Sequence, residues 1–299
     1  MKLKYPITSL EKKVLFSAGE TFSREALSEL IASNKRRKPK FYTLLDHKTV
    51  KKDLLSFLQP EPYSIIFDDD KNINRLMRLM GKVSLLPQAL KILDFYRKAD
   101  VYTYRHFLIV FALSTRMAMD IVEKYKDRIT EAASGPTHDI GKFNIPMRIL
   151  TKAGPLTRSE LDQLKHHSIA GYVLLSYYSG NIHHPAAQVA RDHHERIDGS
   201  GYPRGVQLDN LLVEIIAVCD IFDALISARP YRPSSYDLRT ACDEITAMAE
   251  RGEISWNVVK NLIALNRHRK IHFSECDVSV DKRGVPPSRN NYGKISKAK

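Results

Sequence analysis

The chain has 299 residues, 43% of them hydrophobic, which is enough to bury a sizeable core in one large or two smaller domains. Its longest strongly apolar run, Phe107 to Leu113, falls far short of the roughly 20 residues a membrane helix needs, and the basic start MKLKYPITSLEKK has no apolar segment behind it to act as a signal peptide, so a cytosolic protein is expected. The net charge of +13 favours anionic partners without choosing among nucleotides, nucleic acid and membrane surface, and three scattered cysteines (Cys219, Cys242, Cys276) fit neither a disulfide framework nor a zinc ribbon.

In chain order, residues 1–84 read as a small mixed α/β domain. VLFSAGE (14–20) is a short strand and turn, and Ser23 caps a helix to Ile31 whose apolar face is Ala26, Leu27, Leu30 and Ile31. KRRKPK (35–40) is a basic linker, FYTLL a strand, and Val50 to Leu58 another helix. From Asn72 onward apolar residues recur every three or four positions, and residues 85–270 are predicted to be a helical bundle. A helix from about Tyr104 to Tyr125 carries His106, Val110, Leu113 and Met117 on one face. A second approaches His138 through SGPT, where glycine and proline weaken a helix. A third opens on the capping box Thr157 and Glu160 and carries His167. A fourth opens near Pro185 and carries His193, and a fifth, Leu212 to Ser227, puts Asp220 and Asp223 on one face. Residues 271–299 form a basic tail, disordered or packed on the bundle through Val285 and Tyr292.

His106, His138 with Asp139, His167, His193 with His194, and Asp220 follow one another at intervals of 32, 28, 26 and 26 residues. Each interval is about a helix, a turn and a return helix, so each group can come back to one level of a bundle. Seven ligands are too many for one ion. Neighbouring residues on a helix point about 100° apart, so His138 and Asp139 can serve two ions, with the two oxygens of Asp139 bridging them. One allocation gives His106, His138 and Asp220 to a first ion and His167, His193 and His194 to a second. Imidazole and carboxylate without thiolate suit iron, manganese or zinc in a reactive rather than a structural site. His166, His183 and His184 read as surface or helix-start residues. A lone histidine such as His106 is more often a satisfied polar residue than a ligand; the constellation carries more weight than any member.

The segments HDIGK (138–142) followed by IP and ILTK, then KHHSIAG, HHERIDGSGYP and VCDIFDALISARPYR, resemble the HD-GYP family of cyclic dinucleotide phosphodiesterases, a branch of the HD metal-hydrolase superfamily, over about residues 85–265. The resemblance implies a mainly α, HD-type bundle around a two-metal site of iron or manganese. Tyr102 stands where some members place an acidic ligand for a third ion, so two ions are expected. Two ions sharing a water would supply hydroxide near neutral pH for in-line attack on a phosphodiester. His138, Asp139 and Lys142 are then the catalytic residues. Lys142, Tyr202, Asp223, Arg229 and Arg232 are implied as phosphate or substrate contacts, with Glu195 and Asp198 fixing the loop that Gly199 and Gly201 allow to fold over the site. The family's GYP loop also meets partners such as GGDEF proteins. The implied activity is hydrolysis of cyclic di-GMP to pGpG and on to GMP. The alternatives are hydrolysis of 3′,3′-cyclic GMP-AMP and a catalytically weak receptor of cyclic dinucleotide, which the SGPT break would favour. A nucleic-acid hydrolase is a distant third reading.

Overall fold

A computed structural model describes residues 1–34, 39–228, 234–288 and 295–296; the Glu131 side chain is not described. The N-terminal part is mixed, as expected. Strands β1 (Ile7–Thr8) and β2 (Val14–Phe16) pair antiparallel, and helix α1 (Arg24–Ser33) starts where the Ser23 side chain accepts the Ala26 N–H at 3.1 Å. Strand β3 (Tyr42–Thr43), α2 (Val50–Leu58) and α3 (Asp70–Met80) follow, and β4 (Ser84–Leu85) pairs antiparallel with β3.

The rest is helical: α4 (Pro87–Ala99), α5 (Val101–Ile121), α6 (Tyr125–Ser134), α7 (Met147–Leu150), α8 (Arg158–Lys165), α9 (His167–Ser179), α10 (Pro185–Asp192), α11 (Leu211–Ile226), α12 (Leu238–Glu250) and α13 (Trp256–Leu265). The centre of the bundle is α5, almost wholly buried and packed against α2, α3, α4, α6, α11 and α13. A helix that is apolar on every side has no solvent face to offer, so its neighbours must surround it. His106 is therefore deep by necessity.

Residues 1–84 do not keep a core of their own. Leu3, Ile7, Leu27, Leu54 and Tyr63 belong to one continuous apolar cluster with Phe107, Phe111 and Phe222 of the bundle. Polar contacts stitch the same boundary: the Asn144 side chain accepts from Thr8 N at 2.7 Å, and Tyr104 Oη donates to Asp53 at 2.7 Å.

Three sequence expectations need correction. The capping box at Thr157 and Glu160 is present, but its helix ends at Lys165, and His167 opens a new one. Helix α10 stops at Asp192, so His193 and His194 lie at and beyond its C-terminus rather than inside it. His166 is buried rather than a surface residue, with Tyr5 edge-on at 5.7 Å, and burial pushes its pKa down to about 4. His183 is exposed and His184 caps α10, as expected. In the tail, Val285 is 82% exposed. Asp243 of α12 instead accepts the backbone N–H groups of Arg283 and Gly284, both at 2.8 Å. Tyr292 and most of KRRKPK lie outside the described residues.

The turn that carries HDIGK presses directly on the start of α9. A Cβ added to Gly141 would lie 1.9 Å from the His167 carbonyl oxygen and 2.4 Å from Gly171 N, both backbone atoms that cannot swing away. Gly141→Ala should cost about 3 kcal/mol through overpacking, read as a drop in the denaturant midpoint at unchanged slope. An unchanged midpoint would mean that the two segments are not held together as closely as this.

Candidate metal centre

Four local devices aim the donors. Helix α6 gives way at Gly135 to a buried 3₁₀ turn, Gly135–Thr137, and His138 Nδ1 donates back to the Gly135 carbonyl at 2.7 Å. The SGPT break is therefore a built turn that orients the His138 ring. At the start of α9, His167 Nδ1 donates to Leu164 O at 2.7 Å, and at the end of α10 His193 Nδ1 sits 3.1 Å from both the Val189 and Ala190 carbonyls. On α5, His106 Nδ1 meets Asp223 Oδ2 at 2.5 Å. Carbonyls and carboxylates only accept, so each of these rings carries a proton on Nδ1 and turns its Nε2 inward.

Those nitrogens converge. Asp139 Oδ1 lies 3.1 Å from His167 Nε2 and 3.7 Å from His193 Nε2, while Oδ2 lies 3.4 Å from both His106 Nε2 and His138 Nε2. Asp220 Oδ1 completes the second side, 3.1 Å from His106 Nε2 and 3.9 Å from His138 Nε2. His194 completes the first, its Nε2 3.1 Å from that of His167. Two donor groups result, with all donor atoms in each within 4.8 Å of one another: Asp139, His167, His193 and His194; and His106, His138, Asp139 and Asp220. This is the allocation read from spacing, with Asp139 common to both.

The donor set fits a metal on the structure's own terms. His106 Nε2, His138 Nε2 and Asp139 Oδ1 are buried without a hydrogen bond, a costly arrangement unless a cation answers it. Burial holds the His167 pKa down, and burial together with the neighbouring His193 and His167 holds that of His194 well down; the neutral imidazole is the form that binds a metal. Burial opposes the charge on Asp139, yet Lys142 and His138 beside it keep the carboxyl well below the usual range. Asp220 is likewise held down, chiefly by His106. Burial disfavours the His106 imidazolium too, but Asp139, Asp220 and Asp223 outweigh it and raise its pKa to about 10. Three carboxylates around one ring describe a place that attracts positive charge.

The GYP segment forms a compact flap beside this cage. Glu195 is fully buried and accepts the N–H groups of Arg204 at 2.8 Å and Val206 at 3.2 Å, so it fixes the loop as expected. Asp198 accepts from Ser200 N at 2.9 Å and shapes the tip. The Asp192 carboxylate joins Arg191, at 2.7 Å through both oxygens, to Arg204 at 2.9 Å. Gly201 is needed because a Cβ there would lie 2.4 Å from both Glu195 Cα and the His194 carbonyl oxygen. Tyr202 stacks on the His194 ring at 4.5 Å and 18°, with Lys165 Nζ 4.7 Å from its own ring centre. Lys142 Nζ pairs with Asp139 Oδ2. Arg229 and Arg232 lie outside the described residues. Cavities of about 520 Å³ beside Asp94 and about 470 Å³ beside Arg128 are lined by none of these donors.

Asp223 is fully buried, and among the described residues it meets His106, Tyr63, Arg105 and Ser227, so it holds the His106 ring by its Nδ1. Tyr63 and Arg105 lie outside every motif segment, and Ser227, inside VCDIFDALISARPYR, was given no role from the sequence.

Comparison with known proteins gives a family match and several similar proteins. An HD domain family model matches residues 82–255, more than half of the chain. A cyclic di-GMP phosphodiesterase of Thermotoga maritima is 44% identical over 149 residues, covering 48% of this chain and 39% of that protein. The cyclic di-GMP phosphodiesterase response regulator RpfG of Xanthomonas campestris is 48% identical over 107 residues, covering 35% and 28%. The 3′3′-cGAMP-specific phosphodiesterase 1 of Vibrio cholerae is 34% identical over 158 residues, covering 52% and 36%. This chain therefore spans less than about two fifths of the length of the curated relatives it matches. Among solved structures, an HDG"Y"P protein from Bdellovibrio bacteriovorus is similar at a TM-score of 0.46 and 16% identity, over 89% of this chain and 94% of that one. With the family match extending across all seven donors and the GYP flap, this chain belongs to the HD domain family.

Proposed function

We propose that the chain is a metal-dependent phosphodiesterase that opens cyclic di-GMP to the linear dinucleotide pGpG and carries it on to GMP. The observation that best supports this is the splitting of Asp139, one oxygen toward each of two histidine-bearing donor groups. The proposed cofactors are two divalent ions, iron or manganese, one per group, in keeping with imidazole and carboxylate donors and no thiolate. Bound there, divalent ions supply a water of lowered pKa and polarise a phosphoryl oxygen.

The chain's own residues do the rest. His106, His138 and Asp220 hold one side and His167, His193 and His194 the other, with Asp139 between them. Lys142, half-buried beside Asp139, puts a cation where charge grows on the phosphoryl oxygens. Tyr202, backed by His194, offers a flat face at the rim for a base. Arg229 and Arg232 stay in the proposal as phosphate contacts on the strength of the motif alone, while Asp223 acts through His106. The exposed tip of the flap, Arg204 to Val206, is the surface we assign to a partner such as a GGDEF protein. Among the described residues no helix is long and apolar enough to cross a membrane, and the cytosol remains the proposed location.

A second substrate reading rests on one observation: the relatives at similar identity include 3′3′-cGAMP-specific enzymes. No residue identified above reads a base, so both substrates belong in the assay. The receptor reading loses its main support, because the SGPT turn orients His138 rather than disturbing it.

Protein purified without oxygen is expected to carry about two metal equivalents per chain and to turn over cyclic di-GMP, followed by chromatography in parallel with cyclic GMP-AMP. Chelation should abolish turnover and added Mn²⁺ restore it. The double variant His138→Ala, Asp139→Ala should lose metal and at least about a hundredfold in rate. Turnover that survives the double substitution would remove the site from the reaction, and metal without turnover of either substrate would favour the receptor.

Lys142→Met should keep its metal and lose about 10- to 100-fold in kcat with a smaller change in KM, because a cation that answers developing charge acts mainly in the transition state. An unchanged kcat would leave Lys142 as a partner of Asp139 alone.

A further inference from the structure

Asp223 is the junction through which residues 1–84 reach the metal centre. Its Oδ2 takes the His106 Nδ1 proton at 2.5 Å. Its Oδ1 accepts from Ser227 Oγ at 2.8 Å and from the Tyr63 hydroxyl, and Arg105 Nη1 stands 3.8 Å away. Arg105 in turn donates to Ser227 Oγ at 2.8 Å and lies over the Tyr63 ring, 5.0 Å from its centre. Arg105, His106, Asp223 and Ser227 all come from α5, α11 and the residue that ends α11. Tyr63 does not: it sits on a short 3₁₀ turn, Tyr63–Ile65, outside the span that the HD domain model matches.

We propose that Tyr63 is a positioning residue of the metal centre, supplied by the N-terminal segment, which holds Asp223 in the orientation that fixes the His106 ring for metal binding. The proposal rests on the reading of His106 as a metal ligand. A carboxylate behind a ligating imidazole sets ring orientation and basicity, and it can do so only if it is itself held. Asp223 and Tyr63 are both fully buried, so no water competes for the contact, and the phenol donates its one O–H to Asp223 with Ser227 Oγ 3.1 Å away. Burial and the Asp223 charge keep the phenol protonated, hence a donor. The N-terminal segment is then part of the catalytic unit rather than an appendage to it.

Tyr63→Phe removes the hydroxyl and leaves the ring in the core beneath Arg105. The matched control is Tyr104→Phe, which deletes another buried tyrosine bond to an aspartate across the same boundary, but to Asp53, away from the donors. In the full-length chain, Mn²⁺ binding is measured by calorimetry and by competition with a chelator, and the metal-free proteins are compared in thermal unfolding. The expected result is that both variants melt lower by similar amounts, while only Tyr63→Phe weakens Mn²⁺ binding, on the order of tenfold. Equal Mn²⁺ affinity in the wild type and Tyr63→Phe would overturn the proposal, as would equal weakening in Tyr104→Phe, which would reduce the effect to general loosening. A wild-type chain that binds no metal at all would instead fail the reading of the site, and this link with it.

Discussion

The Asp139 carboxylate is the constraint on which the centre depends. It is a buried anion with histidine nitrogens on both sides, and an ionised group so far from water persists only where positive charge answers it. Its two oxygens face different donor groups, which divides seven donor residues into two sets of four that share one member. The surrounding architecture serves that division. The turn of HDIGK is pressed onto the start of α9, so Asp139 and His167 come from segments with no room to drift apart. The carbonyls at the ends of α8 and α10 and in the Gly135 turn each hold one imidazole by its outer nitrogen.

This explains why donors cluster at helix ends. Inside a helix the carbonyls are taken by the backbone ladder; at an end they are free to accept from a side chain. His138, His167 and His193 all sit where a helix or turn starts or stops, and each turns its Nδ1 to a carbonyl of that end. His106 and Asp220 are inside helices and need another answer. His106 receives it from Asp223, and Asp220 is paired with His106 itself. The centre is thus oriented by backbone on one side and by a chain of side chains on the other, and the second chain ends in the N-terminal segment.

The GYP loop follows a related logic. A carboxylate buried beneath it, Glu195, takes two loop N–H groups, while Asp192 ties both Arg191 and Arg204. The acidic residues that flank the histidines in the sequence are therefore the framework of the flap, and the histidines alone turn toward the donors. Tyr202 comes to rest on His194, so the loop and the ligand stiffen each other.

Much of this was legible in the sequence, because metal chemistry restricts residue types and a helical bundle restricts intervals. The seven donors and their division into two groups with Asp139 common to both followed from spacing and residue type, and the helices of the first 60 residues from a cap at Ser23 and apolar faces. What the sequence misplaced were helix ends near the ligands, since His167 and His193 continue a helical pattern that the fold interrupts for the sake of a carbonyl. The SGPT break looked like damage because propensity counts only the helix it weakens, not the turn it builds. Asp223, singled out by its motif, has a partner that no local pattern announces: Tyr63 lies 160 residues earlier in the chain, and only tertiary packing brings a phenol across that distance to a buried carboxylate. Sequence determined which groups could meet a metal; the fold decided what holds each of them still, because orientation is a property of neighbours and those come together only in three dimensions.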